Sequence, residues 1–237
     1  LKGADYNDTL LWETAEGFKV KPFYHNDEDF TTLYPNTKIS EFKITQDIFV
    51  HDLQKSIFKA NNAIQRGAES LKFIIPNHTI DTVALLSSIE NKNITVYISF
   101  EFLSESYIQN IDNWAANSSL NIYFLLDIIG SLAQEGNWYT NQEQDLQVVK
   151  NLHTNLKNTQ ALSVNASLYQ NAGATITQQL AYTLAHINEY FNLIENFNKT
   201  IVVEVALGTN YFFEIAKLRA LRVLFDSLNE IYNTQAK

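Results

Sequence analysis

From about residue 43 onward, hydrophobic and polar positions follow two rhythms in turn. Short apolar runs of strand length occupy residues 43–50, 71–76, 95–102, 121–129, 161–167 and 201–208. They are nearly continuous, which predicts strands covered on both faces. Between them, residues 53–66, 80–91, 104–116, 142–156, 176–194 and 211–232 carry apolar residues at helical spacing. In the last of these, Phe212, Ile215, Leu218, Ala220 and Val223 follow the helical repeat, and Glu214 and Lys217 stand three apart and can pair. Thr209 or Asn210 is placed to cap that helix, and Arg66–Gly67 ends the first one with a basic residue followed by glycine. Strand and helix alternating in this way predict a parallel sheet, either a TIM (β/α)8-type barrel or a doubly wound sheet. No G-x-G-x-x-G follows a strand, so the dinucleotide-binding form of the second has no support. The barrel is favoured. Only six βα units are readable where a closed barrel needs eight, so the barrel is read as incomplete in this chain or as completed by strands from the arm or a partner.

Residues 1–40 show little periodicity and read as an N-terminal extended arm, with the barrel domain over 41–237. The arm's Trp12, Phe18, Phe23 and Tyr24 need a surface to pack on, either their own domain or a partner. An acidic run follows at residues 25–29 and reads as a solvated turn.

Composition narrows the function classes. The net charge is −9 and no basic stripe exists, which argues against nucleic acid and anionic membrane as partners. No apolar run is long enough to span a bilayer. The absence of cysteine excludes disulfides, thiolate metal sites and a cysteine nucleophile, and is compatible with the cytoplasm. The five histidines (His25, His51, His78, His153, His186) are scattered, with only Glu189 or Tyr190 at helical spacing from His186.

A barrel carries function at the C-terminal ends of its strands. Polar residues at those positions are Asn77, His78, Glu101, Asp127, Asn165, Ser167 and Asn210. Glu101 and Asp127 follow apolar runs and could form an acid/base or nucleophile pair, the chemistry of a hydrolase or lyase. Glu204 sits within an apolar strand; pointing inward it needs a partner, for which Lys217 and Arg219 are candidates. Gly173 and Gly208 are read as strand-to-helix turns.

Two blocks carry a more specific signal. S-V-N-A-S-L-Y-Q-N-A-G-A-T-I-T-Q-Q-L-A-Y-T-L-A-H runs from Ser163 to His186, and V-A-L-G-T-N-Y-F-F-E-I-A-K-L-R-A-L-R-V-L-F from Val205 to Phe225. With E-G-F-K-V-K-P-F-Y near the start and R-G-A-E-S-L-K-F-I-I at Arg66–Ile75, in that order, the chain resembles the methylmalonyl-CoA mutase family of cobalamin-dependent isomerases. The resemblance implies an acyl-CoA-binding barrel, of which this chain holds the arm and about six of eight units. It also implies a separate cobalamin domain whose D-x-H-x-x-G histidine ligates cobalt; no Asp-x-His occurs here. Catalytic members carry G-Y-H-M-Q-E-A-G in the first block. Anchored on Gln170, Ala172 and Gly173, Ser167 and Leu168 take the place of the Tyr-His pair. Leucine can neither donate a hydrogen bond nor act as an acid. A T-I-Q-N-D substrate-binding stretch is also not visible.

By resemblance this is the pattern of the small (β) subunit of heterodimeric mutases. On that reading the chain alone is inactive, contributes no catalytic residue, and supports a catalytic large subunit in the methylmalonyl-CoA/succinyl-CoA interconversion of propionate metabolism. By the same resemblance adenosylcobalamin belongs to the holoenzyme, with no cofactor or metal expected on this chain and no acyl-CoA contact expected of it alone. The alternatives are a free-standing hydrolase or lyase using Glu101 and Asp127, or a degenerate acyl-CoA-binding module.

Overall fold

The computed structural model describes residues 3–25, 42–91, 93–195, 197–234 and 236 of the 237. The remainder of the arm, with the acidic positions 27–29, lies outside the described residues. The chain begins with α1 (Tyr6–Leu10) and a two-stranded antiparallel hairpin, β1 (Trp12–Glu13) and β2 (Lys19–Val20). Then β3 (Thr45–Phe49), α2 (Leu53–Gln65), β4 (Ser70–Ile75), α3 (Thr82–Ser87), β5 (Thr95–Phe100), α4 (Glu105–Ala115) and β6 (Asn121–Leu125) alternate. They are followed by α5 (Ile128–Glu135), α6 (Gln142–Asn155), β7 (Gln160–Ala161), β8 (Ser163–Asn165), α7 (Ser167–Asn171), α8 (Ile176–Leu193), β9 (Val202–Glu204) and α9 (Tyr211–Tyr232).

This is a mixed α/β protein on a parallel sheet. Strands β3-β4-β5-β6-β7 pair in chain order, without the order reversal of a doubly wound sheet, and β8 pairs with β9. Leu162 alone separates β7 from β8. The Ser163 N–H donates to the Leu126 carbonyl and Val202 N–H to the Leu162 carbonyl, so β8 and β9 extend the same strand sequence. Each strand sets a register of side chains: Asp47 opposes Lys72, Lys72 opposes Tyr97, and Tyr97 opposes Tyr123.

The strands were expected to be apolar on both faces; one face is polar. Leu71, Phe73 and Ile75, Val96, Ile98 and Phe100, and Ile122 and Phe124 pack with helix residues such as Leu85, Ile108 and Leu152 in one core. At ~25 cal/mol per Å² of apolar surface, each such fully buried side chain is worth about 1.5–3 kcal/mol. The alternate positions (Lys72, Tyr97, Ser99, Glu204) line cavities on the other face. Apolar residues at Ile74 and Leu125 on that face make the runs look continuous. A second core joins Val164, Ile187, Tyr190, Phe191 and Phe197 under α8 and α9.

The sheet is rolled. Lys72 on β4 forms an ion pair with Glu204 on β9, 132 residues later. Four strand spacings separate them, about 19 Å along a flat sheet, farther than the two side chains reach together. The partner expected for Glu204, Lys217 or Arg219, is therefore corrected to Lys72. The expectation failed because helix-to-strand neighbours are visible in sequence and cross-trough neighbours are not.

The boundaries of α2, α4, α6, α8 and α9 fall within a residue of expectation, while α3 is shorter than the expected 80–91; α9 is capped by Asn210, which accepts from Phe213 N–H at 3.3 Å. Its packing departs from the expectation. Phe212 is 77% exposed and Ile215 40%, while Glu214 and Lys217 are the buried residues of the helix. The Lys217 ammonium lies against Glu214 and donates to the Ala206 carbonyl (2.7 Å), Gln179 (3.1 Å) and Gln170 (3.2 Å). Glu214 in turn accepts from Gly208 N–H at 2.9 Å. A buried charge persists only when it is paired and hydrogen-bonded in this way. Ser167, expected at the end of a strand, starts the short helix α7, and Gly173 ends that helix at φ +91° instead of turning a strand into a helix.

His153 is buried, stacks on Phe197 at 4.8 Å, and its Nδ1 has no hydrogen-bond partner among the described residues. Burial, aided by the Lys199 charge, lowers its pKa to about 4 from an ordinary 6.5. The neutral ring is thus favoured in the folded state. This stability is fully present above pH 6.5 and is lost as pH falls towards 4, on the order of 3 kcal/mol in total. Urea denaturation between pH 7 and 4 is expected to show this decline in the wild type and a flatter profile in His153→Leu.

Candidate functional site

Because the strands from β3 to β9 pair in parallel, the strand C-termini and the N-termini of the helices that follow them share one side of the sheet. A cavity of about 620 Å³ opens there, bounded by Lys72, Glu101, Asp127, Asn165 and Glu204 together with the loop after α5 that bears Trp138 and Tyr139. This volume falls within the range of small-molecule sites.

Three of the five candidate pocket residues, Glu101, Asp127 and Asn165, line this cavity. Ser167 sits beside it through a hydrogen bond to Asn165 Oδ1. Asn210 caps α9 and is not part of the lining. Asn77 also serves its own loop, its Oδ1 accepting from Thr79 N–H at 3.0 Å, and the His78 ring meets the edge of Phe102 at 6.2 Å. Leu168 lies in α7.

Asp127 has a different setting from Glu101. Its Oδ1 accepts from Gly130 N–H (2.8 Å), Tyr190 hydroxyl (2.8 Å) and His186 Nε2 (2.9 Å), and its Oδ2 from Asn165 N–H (2.7 Å). Three of the four donors crowd onto Oδ1 and one meets Oδ2. The residue thereby caps α5 and ties β6 to β8 and α8. Gly130 makes this possible: a Cβ there would fall 2.2 Å from Asp127 Oδ2. His186 is 3% exposed, and its Nδ1 meets the Tyr169 hydroxyl at 3.1 Å. Bonded to a carboxylate, Nε2 is the donor of that pair. Burial, then the Asp127 charge, raises the pKa of both Tyr190 and Tyr169. Glu101, by contrast, is exposed at the cavity wall. The two carboxylates thus share a cavity, with one held by structure and one facing solvent.

Sequence reasoning missed this cluster. His186 was matched with Glu189 or Tyr190 on its own helix; Tyr190 does belong, but through Asp127, 59 residues from His186. The Asp127-x-x-Gly130 spacing of an N-cap with a small residue at N3 was the available signal. The strand expected over 121–129 runs on into the first two residues of α5, a helix that the spacing does not predict.

The arm candidates divide. Trp12 stacks on Phe213 at 5.5 Å and Phe18 lies 5.7 Å from the same ring, so both pack in part on α9. Both stay about half exposed, as does Tyr24, and Phe23 is 68% exposed. Glu16 between the hairpin strands accepts from Ile176 and Thr177 N–H at 2.8 and 2.7 Å, at the start of α8. Burial would raise its pKa, but the hydrogen bonds from Thr177 and Ile176 outweigh it and hold the carboxyl below its usual value.

A parallel α/β sheet with its recess at the strand ends is the class these features define. The sequence profile of methylmalonyl-CoA mutase matches residues 79–237. The chain belongs to the methylmalonyl-CoA mutase family. Over its whole length it is 29% identical to the methylmalonyl-CoA mutase small subunit of Porphyromonas gingivalis, spanning 43% of that protein. Over 92% of its length it is 23% identical to the mutase large subunit of Streptomyces virginiae, spanning 38% of it. A methylmalonyl-CoA mutase of Rhizobium meliloti is 23% identical over 77% of the chain and is covered for 26% of its own length. The chain therefore spans less than half of each of these relatives. Gln170, Glu214 and Lys217, which stand in the blocks that carry the resemblance, meet in the buried network under α9.

Replacing Asp127 with Ala is expected to cost about 3–5 kcal/mol, since it leaves His186, Tyr190 and two backbone donors unpaired. Glu101→Ala is expected to stay within about 0.5 kcal/mol. Chemical denaturation of the two variants measures the contrast.

Proposed function

We propose that the chain is part of a small, non-catalytic subunit of a cobalamin-dependent methylmalonyl-CoA mutase. In this reading residues 1–40 form an arm and 41–237 an arc of a TIM-type barrel, six strands in order, rolled and open at β3 and β9. The holoenzyme interconverts methylmalonyl-CoA and succinyl-CoA, and this chain supports the catalytic large subunit in a heterodimer.

The observation that carries the reading is the state of the trough and its rim. The Lys72–Glu204 pair crosses the polar face of the sheet and takes part in the walls of both cavities on it. Tyr97 and Tyr123 stack beside it at 5.4 Å. An acyl chain passing along the axis would have to displace this pair. At the rim, Leu168 offers no hydrogen bond where the family's histidine bonds a thioester carbonyl. The engagement of Asp127 by four donors of the fold also weighs against a hydrolase or lyase built on Asp127 and Glu101.

The histidines do not suit a cobalt ligand. No histidine follows an Asp-x pair. Both ring nitrogens of His186 are engaged, and His153 is buried against Phe197. No step of the rearrangement is therefore assigned to these residues.

Size-exclusion chromatography with radiolabelled methylmalonyl-CoA tests the reading. The protein is expected to co-elute with a mutase large subunit and to carry no label when run alone. Separate elution from the large subunit, or label comigrating with the protein alone, would contradict it.

A further inference from the structure

The hairpin near the start of the chain is marginal by itself. Strands β1 and β2 pair over two residues each, Trp12 with Val20 and Glu13 with Lys19. An isolated two-stranded hairpin has little stability of its own in water. At its tip, Thr14 N–H donates to the Phe18 carbonyl at 3.1 Å and Gly17 N–H to the Thr14 carbonyl at 3.2 Å. Within residues 12–20 only Thr14 is buried.

The body of the protein holds the hairpin at two points. The first turn of a helix leaves its N–H groups without intrahelical partners. In α8 the Thr175 side chain accepts from Gln178 N–H, and the Glu16 carboxylate at the hairpin tip accepts from Ile176 and Thr177 N–H. Among the described residues these last two N–H groups have no other acceptor. The second point is the Phe213 ring of α9, against which Trp12 and Phe18 lie. The hairpin thus bridges α8 and α9. One helical turn further along both helices, Lys217 of α9 meets Gln179 of α8 at 3.1 Å, a second and buried bridge between the same pair. A segment with few buried contacts opens at lower free energy than the core on which it rests.

We propose that residues 12–20 form a strap that opens and closes on α8 and α9 as one unit, with Glu16 as its catch, while the rest of the fold stays intact. Closed, the strap fills the first turn of α8 and covers part of the Phe213 ring. Open, it frees that turn and adds Phe213 to the exposed Tyr211 and Phe212, so the apolar surface at the start of α9 grows and shrinks with the strap. The Lys217–Gln179 contact keeps α8 and α9 together in both states. The strap is independent of the subunit reading, since its contacts are made within this chain.

Hydrogen exchange of backbone amides in the purified protein, read residue by residue by NMR, is the test. Trp12→Ala weakens the hold on α9, and Glu16→Ala the hold on α8. In a strap that opens as one unit, each change is felt at the other hold. Trp12→Ala is expected to speed exchange at Ile176 and Thr177 about fivefold or more, and Glu16→Ala to speed it about as much at Thr14 and Gly17. Amides of β4 and β5, and the urea denaturation midpoint, are expected to stay as in the wild type. Unchanged exchange at Ile176 and Thr177 in Trp12→Ala, or at Thr14 and Gly17 in Glu16→Ala, would mean that the bonds open separately and would overturn the proposal. Equal acceleration of the β4 and β5 amides would overturn it as well, because the hairpin would then open only with the whole domain.

Discussion

The ion pair between Lys72 and Glu204 is the constraint from which the shape of this protein follows. It joins the second and last strands of the sheet row across the trough, and so requires the sheet to roll. Rolling turns the polar face inward and leaves the apolar face to the helices. The pair is partly exposed, with side chains 20% and 28% accessible, so its Coulomb energy is screened and modest. Its importance is geometric. It stands between the two cavities on the inner face and occupies space that a threaded ligand would need.

Two further polar nodes hold the rim. Asp127 locks β6, β8 and α8 together, and Lys217 locks β9, α7, α8 and α9. Each makes at least four contacts, all with groups of the fold. That explains how a member of an enzyme family can keep the framework residues Gln170, Glu214 and Lys217 while position 168 holds leucine. The framework serves the packing of strand ends against helices, a need independent of any chemistry. It also explains why the most reactive-looking carboxylate at a strand end is the least available one.

Much of the architecture was legible in the sequence, because burial imposes a period on the chain. The strands at Ser70–Ile75 and Thr95–Phe100 and the helix at Tyr211–Tyr232 stand where their apolar spacing placed them. What the spacing hid was orientation. Ile74 and Leu125 made strands look buried on both sides, and Phe212 and Ile215 marked a helical face that is in fact exposed. Helix α5 was missed because it follows β6 after two residues and continues the same apolar run. Of the site, Glu101, Asp127 and Asn165 were recognised as strand-end residues. Their partners were not, since His186, Tyr190 and Lys72 reach the site from distant segments and leave no local pattern.

The account rests on the claim that this chain carries the mutase scaffold without mutase chemistry. Turnover of methylmalonyl-CoA by the purified protein with adenosylcobalamin, in the absence of any large subunit, tests that most directly. No succinyl-CoA above background is predicted. Cobalamin-dependent formation of succinyl-CoA by the protein alone would contradict the account.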